Sequence, residues 1–390
     1  MPERPETQRT AAVAPDAPRG AADRAGRLAH IDTLRGVACL LVVYIHAVQW
    51  LERNAFPMSG LEATLLRESI TRLDPGKVGV LVFFAISGYV VPFSLRRPLA
   101  HPLREFVVNR FFRLMPAYWL SLAAGVLLLG SFEGRTIDLA GWLGNLVLAP
   151  QLLGREPLLD VYWTLQVELV FYIASAGLAM AGLIHVRRLA GWLALLGLAG
   201  ALAAAAMKHL LLIDLPVGLA LWLSLMFWGF AAREADVSGD RFVAGQVRLL
   251  LVAFLLALGP ICYLGYQRLP SVYGTWQSYF WSYLLAVLIF WTFAIRWPWS
   301  TRWLSWVGRI SYSVYLLHVV CIVVLGAWVA PWLAGRVPGL VFIGLVGLAS
   351  IAVAAPTFGW LEQPAIGLGR ELNRRWRLVR LGRGRLRPLL

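Results

Sequence analysis

The sequence predicts an all-α, polytopic membrane protein with about ten transmembrane helices, and three observations lead to that fold class. Of the 390 residues, 59% are hydrophobic and 15% are charged, whereas soluble domains have about 25% charged residues. The mean hydropathy is +0.67. Apolar runs long enough to cross a hydrocarbon core recur along the whole chain. Together these properties favour helices that pack in lipid over a soluble core.

Ten segments have the length and hydropathy of transmembrane helices. They lie near residues 31–50, 77–95, 111–130, 161–184, 189–206, 210–230, 247–266, 277–295, 310–333 and 339–360. The segment 137–153 is apolar but short and is interrupted by glycine and proline, so it is predicted to be re-entrant or interfacial. The predicted domains are a disordered basic tail at 1–29, the membrane domain at 30–367 and a basic tail at 368–390.

The distribution of basic residues predicts that both termini lie in the cytoplasm. With ten spans and an inside N-terminus, 27 of the 36 basic residues fall on the inner side and 9 on the outer side. Cytoplasmic loops of membrane proteins carry such an excess of lysine and arginine. This asymmetry also accounts for the net charge of +15 without nucleic acid, which is not an expected partner.

The first span contains two ionisable residues, Arg35 and His46, in the stretch IDTLRGVACLLVVYIH. The intervening ten residues place them ~16 Å apart along a helix. Ionisable groups inside a membrane are costly and are therefore functional candidates. Two structural alternatives stay open: Arg35 reaching the lipid headgroups, and His46 forming an interhelical hydrogen bond.

The fourth span opens with VYWTLQVELVFY and places Glu168 at about the same predicted depth as His46. A carboxylate in an apolar helix needs a partner, and a histidine at the same depth is suitable. We therefore predict a His46–Glu168 pair in which the carboxylate orients a catalytic base. The alternatives are a purely structural pair, or Glu168 bound to another donor.

The loop between the second and third spans is rich in arginine and ends in a helix that carries Arg110 and Arg113. Residues three positions apart lie on one helix face. Two guanidinium groups there are suited to a phosphate or pyrophosphate, which predicts an anionic cytosolic ligand. The general positive-inside bias is the alternative explanation.

Four further residues are candidates for a substrate-facing wall: Ser87, Trp163, Tyr315 and His318. Ser87 lies in FFAISGYVVPF and the last two lie in SYSVYLLH, where helical spacing puts Tyr315 and His318 on one face. Tryptophans at span ends are interface anchors or stack on sugars. Interhelical hydrogen bonding is the alternative for the polar residues.

Several classes of site are not supported by the sequence. The three cysteines are scattered in apolar runs, so neither a disulfide framework nor a metal site is expected. There is no G-x-S-x-G, P-loop, H-E-x-x-H or G-x-G-x-x-G motif. A serine hydrolase, an NTPase or a zinc peptidase is therefore not predicted.

Six ordered motifs give the chain a resemblance to the acyltransferase-3 family of integral membrane acyltransferases, in its stand-alone form without a soluble esterase-like domain. The motifs, between about residues 29 and 367, are IDTLRG with Y-x-H, FFAISGY, RFFR, YWTLQVELVFY, SYSVYLLH and LEQP. The resemblance implies transfer of an acyl group, often acetyl, from cytosolic acyl-CoA to a hydroxyl, usually of a carbohydrate or lipid-linked glycan.

The resemblance also implies roles for individual residues. His46 would be the central catalytic residue, Arg35 its essential partner, and Arg110 with Arg113 the pair that holds the coenzyme A phosphates. His46 would act as a general base or carry the acyl group covalently, which the sequence does not distinguish. The expected location is a bacterial cytoplasmic membrane.

A secondary transporter or flippase is the alternative function, with the buried histidine and glutamate as a proton relay. No inverted repeat is visible in the sequence, which favours the acyltransferase.

Overall fold

The structure, a computed structural model, describes residues 19–96, 101–133, 138–213, 215–268 and 274–384. Within these ranges every regular element is helical, so the predicted all-α fold class is confirmed. The α-helices are α1 (Arg19–Arg53), α2 (Gly60–Thr71), α3 (Pro75–Leu95), α4 (Pro102–Glu133), α5 (Leu139–Leu146), α6 (Trp163–Met180), α7 (Leu189–Leu211), α8 (Val217–Ser238), α9 (Arg241–Tyr266), α10 (Trp276–Phe290), α11 (Arg302–Trp328), α12 (Ala330–Leu333), α13 (Gly339–Thr357) and α14 (Gln363–Gly384). A π-helical turn follows α10 at Trp291–Arg296, and another joins α13 to α14 at Phe358–Glu362.

In the described part of the chain, nine helical segments are long and apolar enough to cross a membrane. They contain α1, α3, α4, α6, α7, α9, α10, α11 and α13, and each corresponds to one predicted span. The remaining predicted span, 210–230, corresponds to α8, whose last turns carry Arg233, Glu234 and Asp236. The protein is therefore a multi-pass membrane protein.

The packing of α7, α8 and α9 gives the direction of α8. Near the start of α9, Gln246 donates to the carbonyl of Arg188, the residue that precedes α7 (3.3 Å). At the other end of both helices, Gln267 contacts His209 (2.6 Å). Because α7 and α9 run parallel, the α8 helix that connects them runs antiparallel to both, as the predicted span at 210–230 requires.

Helices α1 and α11 pack side by side and in the same direction. Hydrogen bonds join three residue pairs with the same sequence separation of 272: Thr33–Ser305 (2.8 Å), Cys39–Ser311 (3.5 Å) and His46–His318 (2.9 Å). A constant separation requires parallel helices, in agreement with their predicted places as the first and ninth spans. Gly36 and Gly308 permit this approach, since a Cβ atom at either would collide with a backbone carbonyl of the other helix. The cytoplasmic location of both termini stays a prediction.

Short polar residues begin several of the helices. Their side chains accept a hydrogen bond from a backbone N–H of the first turn, which would otherwise have no partner. These residues are Asp74 before α3, Asp138 before α5, Asp240 before α9, Thr275 before α10 and Thr301 before α11.

The segment predicted to be re-entrant or interfacial contains α5 and a 3₁₀ turn at Pro150–Leu153. Eight residues make a helix ~12 Å long, which is too short to cross a bilayer. The helix is held on α4 because Tyr118 donates to the carbonyl of Asn145 (2.6 Å). The Arg155 guanidinium and the Gly141 N–H lower the pKa of Asp138 to about 2, so this carboxylate stays charged at neutral pH.

Both predicted tails are partly helical in the structure. Residues 1–18 of the N-terminal tail lie outside the described residues, while residues 19–29 form the first turns of α1. At the other end, α14 packs against the start of α4, where Asn373 donates to Asn109 (3.1 Å) and Arg377 pairs with Glu105 (3.1 Å).

Candidate functional site

A cavity of about 90 Å³ lies between α1, α3, α4, α6 and α11. One end of its wall is basic and the rest is mainly aromatic and aliphatic. The lining residues are Arg35, Val80, Phe83, Phe84, Ser87, Val91, Arg110, Arg113, Leu114, Thr164, Leu165, Glu168, Tyr172, Ser311, Tyr312 and Tyr315. Six of the nine predicted site residues therefore line one cavity, and the three that do not are His46, Trp163 and His318.

Three guanidinium groups line the cavity: that of Arg35 on α1, and those of Arg110 and Arg113 on α4. Arg35 lies 3.8 Å from Asp32 one turn earlier. Arg110 packs over the Tyr172 ring at 4.9 Å and donates to its hydroxyl (3.4 Å). Among the described residues, no side chain hydrogen-bonds or ion-pairs with Arg113. The predicted arginine pair thus shares a helix face, and one of its members is available to an anion.

Glu168 is the acidic residue of this cavity, and its hydrogen-bond partners correct the prediction. Its Oε1 atom accepts from Ser87 (3.0 Å) and from Tyr172 (2.6 Å), which lies one turn later on α6. The predicted pairing with His46 is wrong. The two residues lie at different depths: Gly76 of α3 faces Ile45, next to His46, whereas Ser87, which donates to Glu168, lies eleven residues (~16 Å) further along α3. Glu168 therefore lies with the arginine cluster.

The partner of His46 is His318, through a contact of 2.9 Å between Nδ1 of His46 and Nε2 of His318. The two rings lie 5.0 Å apart between centroids. The other nitrogen of His318, Nδ1, lies 2.7 Å from the carbonyl oxygen of Tyr315. His318 has no exposed surface, so it does not form part of the cavity wall, although its helical spacing from Tyr315 predicted that it would.

Tyr315 connects the cavity to the histidine pair. It lines the cavity, and its ring lies 5.8 Å from the ring of His318. Its hydroxyl lies 2.7 Å from Thr164 and donates to the carbonyl of Val161 (3.0 Å). A ligand in the cavity would therefore contact Tyr315 before it reached His46.

Trp163 lies outside this wall. Its ring packs against Phe84 and Trp222, at 6.1 and 4.8 Å between centroids. Its predicted role of stacking on a sugar stays a prediction.

Sequence reasoning missed three partners in this region: Thr164, Tyr172 and Glu362. Tyr172 could have been found from its i, i+4 spacing to Glu168. Glu362 lies in the LEQP motif, has no exposed surface and accepts from Ser313 on α11 (2.8 Å). No local signal links Glu362 to Ser313, because 49 residues separate them.

A metal-binding cluster was not predicted. In the part of the chain that the structure describes, no group of three or more His, Cys, Asp and Glu side chains is placed to hold a metal ion.

Comparisons with known proteins match most of the chain. The model of the acyltransferase-3 family, an acyltransferase domain, matches residues 28–358. Over 311 residues, the chain is 29% identical to the exopolysaccharide production protein ExoZ of Rhizobium meliloti (strain 1021). The aligned region covers 76% of this chain and 91% of that protein. No solved structure matches the chain significantly.

Proposed function

This chain belongs to the acyltransferase-3 family and is a multi-pass membrane acyltransferase, and from that premise we propose its donor and its acceptor. The proposed reaction moves an acetyl group from cytosolic acetyl-CoA to a hydroxyl of a carbohydrate acceptor. The proposed location is a bacterial cytoplasmic membrane.

The observation that supports acetyl-CoA as the donor is the basic end of the cavity. Arg35, Arg110 and Arg113 line it together with a single carboxylate, Glu168, among the described lining residues. An excess of guanidinium groups is suited to phosphate oxygens, which accept bidentate hydrogen bonds. The phosphates of coenzyme A would lie at these arginines, while the uncharged pantetheine arm extends past Tyr315 toward His46.

The choice of acetyl follows from the family resemblance, in which the transferred acyl group is often acetyl. The carbohydrate acceptor is supported by the relative whose name refers to exopolysaccharide production. A surface polysaccharide, a lipid-linked glycan and a glycosylated metabolite are the acceptors within this class.

In the proposed reaction, His46 acts as the general base on the acceptor hydroxyl. Proton transfer by a positioned histidine contributes about 10²–10⁴-fold to a rate. The hydroxyl oxygen forms the new C–O bond, the thioester C–S bond breaks, and the proton passes through His46 to the departing thiolate. An acyl-histidine that accumulates with donor alone would instead indicate a covalent relay.

The test uses the purified full-length protein in nanodiscs, with radiolabelled acetyl-CoA and a panel of free and lipid-linked glycans. We expect label transfer by the wild type and none by His46→Ala. Arg113→Ala should weaken acetyl-CoA binding about tenfold or more, because hydrogen bonds to charged groups contribute about 1.5–3 kcal/mol. Coenzyme A should compete for this binding, and pantetheine, which lacks the phosphates, should not.

The matched control is Arg248→Ala, which removes an exposed arginine of α9 that does not line the cavity. It should bind acetyl-CoA like the wild type. Absence of label transfer and of coenzyme A release across the donor and glycan panel would overturn the proposed function.

A further inference from the structure

His318 has no role in the reaction as described above, yet it is the hydrogen-bond partner of His46. Its ring is completely buried between α1 and α11. Its two nitrogens make different contacts, with Nε2 at 2.9 Å from His46 and Nδ1 at 2.7 Å from a backbone carbonyl. This asymmetry determines where the ring protons lie.

The carbonyl of Tyr315 only accepts hydrogen bonds, so Nδ1 of His318 has to carry its proton. Among the described residues, no carboxylate hydrogen-bonds with His318, and a buried imidazole without such a partner is neutral. A neutral imidazole has one N–H, which leaves Nε2 of His318 as an acceptor. The contact with His46 then needs the donor to be Nδ1–H of His46.

The consequence for His46 is a defined tautomer. With the proton on Nδ1, its Nε2 atom carries the free lone pair and is the basic nitrogen. When Nε2 takes up a proton, the resulting cation still donates from Nδ1 to His318, so the hydrogen bond is kept during the reaction. In catalytic triads a buried carboxylate holds the base in this way.

The position of His318 is imposed by the packing of whole helices. The His46–His318 contact has the same sequence separation of 272 as the Thr33–Ser305 and Cys39–Ser311 contacts. A shift of α11 along α1 would break all three contacts together. The histidine pair is therefore held by the parallel α1–α11 interface and not by a flexible loop.

We propose that His318 is a positioning residue that holds His46 in the Nδ1–H tautomer and so presents its Nε2 lone pair to the acceptor hydroxyl. This inference rests on the proposed function, in which Nε2 takes the hydroxyl proton as the C–O bond forms and the C–S bond breaks. The proton then leaves with the coenzyme A thiol. His318 itself neither touches the substrate nor gains or loses a proton.

The first test is a measurement on the wild-type protein in nanodiscs, with its histidines labelled with ¹⁵N. The ¹⁵N chemical shift separates a protonated from an unprotonated ring nitrogen, and His46→Ala identifies the signals of His46. We expect the proton of His46 on Nδ1. A proton on Nε2 would overturn the inference, whatever the activity of the protein.

The second test compares His318→Leu with His318→Gln. Leucine removes the acceptor, whereas the glutamine amide oxygen can replace Nε2 as an acceptor. We expect His318→Leu to lower kcat about tenfold or more, as part of the base contribution of about 10²–10⁴-fold, with an unchanged KM for acetyl-CoA. His318→Gln should recover part of kcat, and His318→Leu should spread the His46 proton over both nitrogens.

The matched control is His209→Leu, which removes a histidine paired with Gln267 at the far end of α7 and should leave kcat unchanged. Wild-type kcat in His318→Leu would overturn the positioning role alone. Absence of transfer by the wild type would overturn the proposed function instead, so the two failures are distinguishable.

Discussion

At the scale of single residues, the charged side chains of the cavity determine how tightly an anionic donor binds. Glu168 is the acidic side chain that lines it among the described residues, and it faces three arginines. Its hydrogen bonds to Ser87 and Tyr172 hold it in place. In this position the carboxylate opposes the binding of an anion and limits how tightly a phosphorylated donor is held.

We therefore expect Glu168→Gln to bind acetyl-CoA more tightly than the wild type. Unit charges about 8 Å apart interact by about 2 kcal/mol at an effective dielectric constant of about 20, and half of that corresponds to about fivefold in affinity. Equilibrium binding of labelled acetyl-CoA in nanodiscs measures the change. Val80→Ala, a neutral change at a residue of the same cavity that makes no hydrogen bond with Glu168, is the control. Unchanged affinity of Glu168→Gln with a lower kcat would instead support a role for the carboxylate in the chemical step.

At the scale of secondary-structure elements, the α1–α11 interface sets the geometry of the histidine pair. Small residues allow helices in membranes to approach closely, and Gly36 and Gly308 do so here. Both helices are also rich in buried residues along the shared face. A change at this interface should therefore act on His46, although neither glycine touches it.

Gly308→Ala tests this coupling, because its added Cβ atom would collide with the backbone carbonyl of Asp32. Over-packing of a tight interface costs about 1–3 kcal/mol. We expect a lower thermal unfolding midpoint and a lower kcat for acyl transfer. The control is Gly344→Ala on α13, where a Cβ atom meets open space. Equal unfolding midpoints and kcat values in the two variants would contradict the coupling.

At the scale of the whole molecule, the direction of the chain through the membrane decides which ligand reaches which end of the site. The parallel packing of α1 with α11 and of α7 with α9 determines relative directions. The absolute orientation rests on the excess of arginine predicted for the cytoplasmic side. With that orientation, the arginines of the cavity lie toward the cytosol and His46 lies toward the outer face.

Labelling of introduced cysteines with a membrane-impermeant maleimide tests the orientation in intact cells. Glu156→Cys and Arg241→Cys both replace exposed charged residues, before α6 and at the start of α9. We expect Glu156→Cys to react from outside and Arg241→Cys to react only after permeabilisation. The three native cysteines are buried and give the background. The opposite pattern would reverse the predicted orientation.

Local properties of the sequence were sufficient for the helices and for part of the site. Hydropathy and length located the membrane-crossing helices because burial in lipid depends on each segment alone. Helical spacing also brought Arg110 and Arg113 to one face. The pairing of His46 with Glu168 failed because the predicted span boundaries put the two residues at one depth, whereas the packing of α3 against α1 and α6 places Glu168 at the level of Arg35.

The sequence by itself thus determined the all-α membrane fold, the order of the spans and the family motifs, all of which depend on composition and short-range spacing. The tertiary structure alone decided that His46 meets His318, 272 residues away, and that Glu168 meets Ser87, 81 residues away. The physical reason is that helix partners in lipid are chosen by close packing of small residues and by interhelical hydrogen bonds. Both are properties of two surfaces together, and neither surface specifies its partner alone.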